Sequence, residues 1–301
     1  MLINYFDNAS TTSVDSRVLE AMLPYFSEIY GNASSNHDFG KESKQAIELS
    51  RKQVSKLINC NEGEIIFTSG ATESINFALK GFVESNFEKG NHIITVKTEH
   101  KAVLATCEYL ETKGVEVTYL DVDKDGLISI NDLKEAIRND TFLICIMYVN
   151  NETGIIQPIK EIGSIAKENN IPFFCDATQA VGKIKVDVLE NNIDLLCFSG
   201  HKLNAPKGVG ILYKNKNIVL TPLFHGGGQE NGLRAGTYNT PLIVGLGKAC
   251  EIAIKEFREN SNIIETKSKL LIQELLEKRN KVFIDSKIKK SIKSATKQIN
   301  F

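Results

Sequence analysis

Three short stretches carry side chains that could do chemistry, and each follows a β-branched apolar run. SGATES, from Ser69 to Ser74, opens an amphipathic run, so its hydroxyls and N–H groups could bind a phosphate at the positive end of a helix dipole. Asp176 and Gln179 follow IPFFC, and an acid there points into the crevice where open α/β sheets bind ligands. Lys202 follows IDLLCFS, and a lysine in a partly dry site becomes less basic and can form a Schiff base.

Each stretch has an ordinary explanation when it is taken alone. A Ser/Thr turn or a strand-end acid often only caps the next helix, and a loop lysine is usually solvated. Together the three offer a phosphate cup, a carboxylate for a pyridinium nitrogen and an amine for an aldehyde, which is what pyridoxal phosphate needs. SGATES matches neither GxGxxG nor GxxxxGK, which disfavours dinucleotides and nucleoside triphosphates. His100, after another apolar run, could lie over the ring and move protons, or could simply begin a helix.

The apolar runs that must position these side chains alternate with amphipathic stretches. They read EIIFT, HIITV, VEVTYL, FLICIMYV, IPFFCDAT, IDLLCFS and GVGILY. This alternation indicates βαβ units, and continuous apolar runs are typical of strands buried on both faces. The predicted fold class is therefore α/β, with a mostly parallel sheet flanked by helices. From about Asn239 to Asn280 the pattern indicates two long helical stretches, and KVFID and SATKQINF then indicate strands of another layer.

Composition narrows the classes of partner. The chain has 301 residues, of which 42% are hydrophobic, and this is enough apolar material for one large domain or two unequal ones. Its net charge of -1 disfavours nucleic acid and anionic membranes as partners. The longest apolar runs, of about 8 residues, are far below the ~20 that a membrane span needs. The start, MLINYFDNAS, lacks the features of a secretory signal. We expect a cytoplasmic protein that acts on a small molecule.

Cysteine and histidine usage indicates neither a disulfide framework nor a metal site. The 6 cysteines include no CxxC, and the 5 histidines show no HxxxH or HExxH spacing. Cys60 has polar neighbours, so we expect an exposed turn residue there. The others are predicted to be core residues of strands (Cys145, Cys175 and Cys197) or to lie in helices (Cys107 and Cys250).

One stretch imitates a calcium-binding loop. DVDKDGLISIND, from Asp121 to Asp132, has acids and a glycine at EF-hand positions. However, VEVTYL before it indicates a strand where an EF-hand needs a helix, and the last position is Asp where an EF-hand has Glu. We therefore do not expect a calcium site.

Nine ordered blocks of the sequence resemble the cysteine desulfurases of the NifS/IscS type, within the class V aminotransferase group. The blocks are FDNASTT, GNASSNHDFG, FTSGATES, KTEHKAV, MYVNNETG, DATQAVG, FSGHK, PKGVG and HGGGQENGLRAGT. The likeness extends from about residue 3 to residue 260. It implies the fold of type I pyridoxal-phosphate-dependent transferases, with a large cofactor-binding domain at 13–257. Residues 1–12 and 258–301 would form part of an incomplete small α+β domain.

The resemblance also implies a role for individual residues. Lys202 would hold pyridoxal phosphate covalently, Asp176 would pair with the pyridinium nitrogen, and His100 would stack on the ring. Gln179 and Asn151 would bond the phenolic oxygen. The phosphate would be held by a further set of residues, the last of them from the neighbouring subunit of a homodimer: Ala71, Thr72, Ser199, His201 and Thr237.

The implied reaction converts L-cysteine to L-alanine and leaves the sulfur on a protein cysteine as a persulfide for iron–sulfur cluster assembly. A sulfur-acceptor or scaffold protein would be a partner. Members of the family continue past the point that matches Phe301, and that part carries the nucleophilic cysteine and the arginine that binds the substrate carboxylate. We therefore expect a truncated or split form. The alternatives are a non-catalytic cofactor-binding and dimerisation module, or a related enzyme such as a selenocysteine lyase.

Overall fold

The computed structural model describes residues 5–278, and the strands in that range form one sheet. They are β1 (Ile65–Thr68), β2 (His92–Val96), β3 (Glu116–Leu120), β4 (Thr141–Cys145), β5 (Phe173–Asp176), β6 (Leu195–Ser199) and β7 (Gly210–Lys214). Their order across the sheet is β1-β7-β6-β5-β4-β2-β3. β7 is antiparallel to both neighbours, and the remaining pairs are parallel. The predicted mostly parallel sheet is confirmed.

Helices cover both faces of the sheet. They are α1 (Ser16–Met22), α2 (Pro24–Ser27), α3 (Asp38–Ile58), α4 (Ala71–Asn86), α5 (Lys101–Glu111), α6 (Ile130–Ala136), α7 (Ile159–Glu168) and α8 (Thr240–Lys278). Alternate strand side chains enter two different cores, as a pleated strand requires. Ile94 and Ile144 pack with α3, α7 and α8, whereas Ile93 and Leu143 pack with α4 and α5. Burial on both faces explains why the strand sequences show no polar alternation.

The register of the sheet brings the chemically interesting strand ends together. Asp176 at the end of β5 pairs with Cys197 of β6, and Ser199 at the end of β6 pairs with Gly210 of β7. Gly210 also pairs with Thr68, the last residue of β1. The segments that follow β1, β5 and β6 therefore leave the sheet at one edge, as expected for ligand-binding loops in α/β folds.

The C-terminal part of the described chain differs from the prediction. Thr240–Lys278 is one continuous helix of 39 residues where the sequence indicates two. Asn260, Ser261 and Asn262 are weak helix formers, but propensity is a small effect that an otherwise favourable helix overrides. The predicted boundary at 257/258 falls inside α8. The predicted strands KVFID and SATKQINF lie outside the described residues. Within residues 5–278 no helix is both long and apolar enough to cross a membrane.

The loop that imitates an EF-hand is a turn between a strand and a helix. β3 ends at Leu120, so a strand does lie where an EF-hand needs its first helix. Val122 and Ile128 form an antiparallel bridge across the loop. Asp123 Oδ1 accepts hydrogen bonds from the N–H groups of Asp125 and Leu127. The acid therefore stabilises its own turn, as Asp commonly does.

Candidate active site

A cavity of about 850 Å³ lies at the carboxyl edge of the sheet. Nine residues singled out from the sequence line it: Ala71, Thr72, His100, Asn151, Asp176, Gln179, Ser199, His201 and Lys202. Thr237 does not line it and is exposed. That position is compatible with its expected contribution to a neighbouring subunit, which stays a prediction. Asp7, Ala9, Ser10 and Thr11 also line the cavity, although no role there was predicted for them from the sequence.

One end of the cavity is formed by the turn between β1 and α4. Gly70 precedes the helix with φ of 150°, and no side chain caps the first turn of α4. The turn is held instead by Thr68 Oγ1 and Ser74 Oγ, which lie 2.7 Å apart, and by Ser74 Oγ donating to the carbonyl of Ile211 on β7. An uncapped helix N-terminus leaves N–H groups for an anion, and the dipole favours negative charge there. The turn therefore suits a phosphate.

We predict that Gly210→Ala disturbs this turn. A Cβ atom at Gly210 would lie 2.7 Å from both Gly70 Cα and the Phe198 carbonyl oxygen, so backbone would have to move. Overpacking of this kind costs roughly 1–3 kcal/mol. Thermal unfolding should show a lower melting temperature, and titration with pyridoxal phosphate should show weaker binding. Gly63→Ala is the control, because nothing lies within 4 Å of a Cβ there. Equal behaviour of the two variants would contradict the prediction.

Lys202 lies in a 3-10 turn, Gly200–Lys202, directly after β6. Its Nζ donates to the carbonyl oxygens of Ala9 at 2.5 Å and Ser10 at 2.6 Å. Burial lowers the pKa of Lys202, although the charges of Asp7, Asp176 and Glu152 act in the opposite direction. A lowered pKa increases the fraction of neutral amine, and the neutral amine is the form that attacks an aldehyde.

Asp176 is 5% exposed at the end of β5, and its Oδ1 accepts a hydrogen bond from Thr178 N at 2.9 Å. Its charge acts on Lys202, so the two groups face the same cavity and lie near each other. Glu99 lies close by and is 6% exposed. Burial and the charge of Asp176 raise the pKa of Glu99 well above its usual range. A raised pKa favours the neutral form of Glu99, which adds no second negative charge beside Asp176.

The two histidines of the cavity are held by different contacts. His100 is the N-cap of α5, and its Nδ1 accepts from the N–H of Ala102 at 3.1 Å. In the neutral ring the proton is therefore on Nε2. His100 thus begins a helix and lines the cavity, so both roles considered from the sequence fit its position. Burial and the neighbouring lysines, Lys202 foremost, lower the pKa of His201 to about 4.

Two amide side chains complete the wall. Gln179 is buried, and its Nε2 donates to the carbonyl of Ala9 at 2.9 Å. Asn151 Nδ2 donates to Glu152 Oε1 at 2.6 Å. A further buried residue, Lys183, donates from Nζ to Gln179 Oε1 at 2.7 Å. The sequence analysis missed Lys183, although its position four residues after Gln179 in DATQAVGK was a usable signal.

Residues 4–300 match the family model described as "Aminotransferase class-V". The chain belongs to the class-V aminotransferase family. The resemblance to cysteine desulfurases is confirmed. This class-V chain is 55% identical over 272 residues to "Cysteine desulfurase, mitosomal" of Trachipleistophora hominis, a match that covers 89% of the chain and 62% of the relative. It is 54% identical over 272 residues to "Cysteine desulfurase IscS" of Methanosarcina thermophila, covering 90% of the chain and 67% of that relative.

Solved structures agree with these matches. A "NIFS-LIKE PROTEIN" has a TM-score of 0.89 and 44% identity, covering 92% of this chain and 76% of the other. "SspA in complex with cysteine" has a TM-score of 0.81 and 48% identity, and the match covers 83% of this chain and 72% of the other. These likenesses confirm the type I fold expected for the family. The class-V chain spans only 62% of the Trachipleistophora hominis relative, so the activity of the longer proteins is a proposal for it.

The donor set of the cavity fits pyridoxal phosphate, the cofactor of the class-V family. The uncapped turn of α4 supplies N–H groups for a phosphate, and Ser199 supplies a hydroxyl. Asp176 supplies a buried carboxylate for a ring nitrogen, and Lys202 supplies an amine whose pKa is lowered by burial. Anion site, acid and amine border one cavity, as this cofactor requires.

The cysteines of the class-V chain are structural. Strand residues Cys145, Cys175 and Cys197 are buried, as predicted, and Cys107 and Cys250 are buried in helices. The prediction that Cys60 is an exposed turn residue overstates its exposure. Cys60 is only partly exposed because it packs against the core, and burial raises its pKa to about 12. All 6 cysteines lie within residues 5–278, and none lines the cavity.

Proposed function

We propose that this chain is the cofactor-binding part of a cysteine desulfurase, which converts L-cysteine to L-alanine and passes the sulfur on as a persulfide. One observation carries the proposal: the Lys202 amine, the Asp176 carboxylate and the uncapped turn of α4 border a single cavity. The relatives named cysteine desulfurase support the substrate class. Iron–sulfur cluster assembly in the cytoplasm, with a sulfur-acceptor or scaffold protein as partner, is the cellular role we propose.

The residues of the cavity would divide the work between them. Bound pyridoxal phosphate would withdraw electrons from the α-carbon of cysteine. Lys202 would hold the cofactor through its aldehyde, and Asp176 would keep a proton on the ring nitrogen. His100 would stack on the ring and move protons at the substrate. Gln179 and Asn151 would bond the phenolic oxygen.

The phosphate would be bound mainly by backbone and neutral groups. Ala71 and Thr72 would donate from the first turn of α4, where the helix dipole favours an anion. Ser199 and His201 would complete the site within the chain, and His201 would be neutral because its pKa is about 4. Thr237 would reach the phosphate of the neighbouring subunit, so the active form would be a homodimer.

Sulfur transfer needs a thiol that this chain does not place at the cavity. In the balanced reaction, cysteine and a protein thiol give alanine and a protein persulfide. The thiolate attacks the substrate sulfur, the C–S bond breaks, and the carbon that loses sulfur gains a proton. Cys60 and Cys107 are poor candidates because burial raises the pKa of each thiol to about 12, which disfavours thiolate, and the other cysteines are buried too. We propose that the acceptor thiol lies outside the 301 residues.

The test is alanine production from cysteine by the cofactor-loaded protein. We expect little alanine from the protein alone. Mixing it with the part of the Methanosarcina thermophila relative that the match does not cover should raise the rate by about tenfold or more, because a positioned thiol greatly increases effective concentration. Rapid alanine formation by the protein alone would show that the acceptor thiol has been misplaced.

The burial of the thiols also favours a second candidate, a non-catalytic module that binds pyridoxal phosphate and dimerises. It predicts a yellow protein that makes no alanine in any mixture. The proposed desulfurase predicts colour and reconstituted turnover together. A protein that takes up no cofactor would contradict both.

A further inference from the structure

Lys183 is a buried lysine for which the proposed mechanism has no use. Its side chain is 9% exposed, in the turns that follow β5. A buried lysine is costly unless it makes hydrogen bonds. Its Nζ donates to Gln179 Oε1 at 2.7 Å, a contact between two buried side chains. The partner is a residue of the cavity wall, so this contact has consequences for the site.

The contact settles which way the Gln179 amide faces. An ammonium group can only donate, so the side facing Lys183 must be the carbonyl oxygen. The amide nitrogen then faces the other way, where Nε2 donates to the Ala9 carbonyl at 2.9 Å. The same carbonyl accepts from Lys202 Nζ at 2.5 Å. Gln179 therefore presents N–H groups at the place where the Lys202 amine lies.

We propose that Lys183 is a positioning residue that locks the Gln179 amide with its N–H side toward the cavity. This rests on the proposed function, in which Gln179 bonds the phenolic oxygen of pyridoxal phosphate. A locked amide can donate to that oxygen but cannot accept from it. Donation stabilises the ionised oxygen, whereas a flipped amide would favour the neutral phenol. Lys183 would thereby set the ionisation and the colour of the bound cofactor.

The charges around Lys183 define suitable conditions for a test. Burial, followed by the charge of Lys202, lowers the pKa of Lys183 to about 7. A second cavity beside Lys183 is also lined by Asp15, Glu256 and Lys267. Both acids of that cavity pair with Arg17. Because its pKa is about 7, Lys183 is mostly an ammonium group at pH 6, the form that can only donate.

The experiment compares absorption spectra of cofactor-saturated proteins at pH 6. The measured quantity is the ratio of the long-wavelength band of the ionised phenol to the short-wavelength band of the neutral phenol. We expect K183M to lower this ratio by about tenfold, as loss of a charged hydrogen bond allows. K183R, which keeps a cationic donor, should restore most of the ratio. K214M is the control, since Lys214 is a partly buried lysine on β7 that donates to the Asn215 and Ile218 carbonyls.

A double variant separates positioning from direct electrostatics. If Lys183 acts through Gln179, then adding K183M to Q179M changes nothing further. A further drop in the double variant would show direct action on the cofactor or on Lys202 and would overturn the proposal. An unchanged ratio in K183M would overturn it as well, with the proposed function intact. Wild-type protein that stays colourless overturns the proposed function, and this inference with it.

Discussion

Lys202→Ala should give a protein that no longer turns yellow with pyridoxal phosphate and binds it at least about 100-fold more weakly. That loss corresponds to roughly 3 kcal/mol of binding free energy, a modest value for a covalent link. The expected loss follows from the position and the pKa of Lys202. Lys202 follows β6 at the cavity, and burial lowers its pKa and so favours the reactive neutral amine. Absorbance titration with the cofactor measures both the colour and the affinity.

The control for this variant is Lys214→Ala. Lys214 is also a partly buried lysine, and burial lowers its pKa too, but it lies on β7 and bonds only local carbonyls. The Lys214→Ala protein should bind the cofactor and turn yellow like the wild type. If Lys202→Ala kept the yellow band while Lys214→Ala lost it, the assignment of the cofactor amine would be wrong.

Asp176→Asn should weaken cofactor binding by about 10- to 150-fold. A hydrogen bond between charged groups is worth roughly 1.5–3 kcal/mol, and the amide cannot hold a proton on the ring nitrogen as a carboxylate does. The fold should survive, because the Asn oxygen can still accept from Thr178 N, as Asp176 Oδ1 does at 2.9 Å. The dissociation constant for pyridoxal phosphate is the measurement.

Asp194→Asn provides a matched comparison. Asp194 is partly buried and, like Asp176, accepts a backbone hydrogen bond, from Phe173 N at 3.1 Å. Phe173 begins β5 and Asp176 ends it, so Asp194 contacts the end of β5 that is opposite to Asp176. We expect the control to bind the cofactor within about twofold of wild type. Equal losses in both variants would mean that Asp176 affects only folding.

The sheet and the cavity residues could be predicted from the sequence for a physical reason. Parallel strands buried on both faces leave continuous apolar runs, and their carboxyl ends meet at one edge. Asp176, Ser199 and Lys202 follow such runs, so their convergence could be expected before any coordinates. The resemblance to the family added roles for residues such as Asn151 that the runs alone do not single out.

Other features depended on contacts between distant parts of the chain. Lys202 bonds Ala9, 193 positions away, and no local pattern near Ala9 indicates a carbonyl for an amine. The raised pKa of Glu99 comes from burial and from the charge of Asp176, neither of which its own neighbours in sequence reveal. The helix α3 was not among the predicted elements. It packs extensively against α8, which is far away from it in the sequence.

The most direct test of the central claim is to identify the amine that carries the cofactor. The protein is saturated with pyridoxal phosphate, reduced with borohydride to fix the link, digested and examined by mass spectrometry. The arrangement of Lys202, Asp176 and the α4 turn around one cavity predicts a single modified peptide, with the cofactor on Lys202. Modification of Lys183 or Lys207 in its place, or no fixed cofactor at all, would contradict the account.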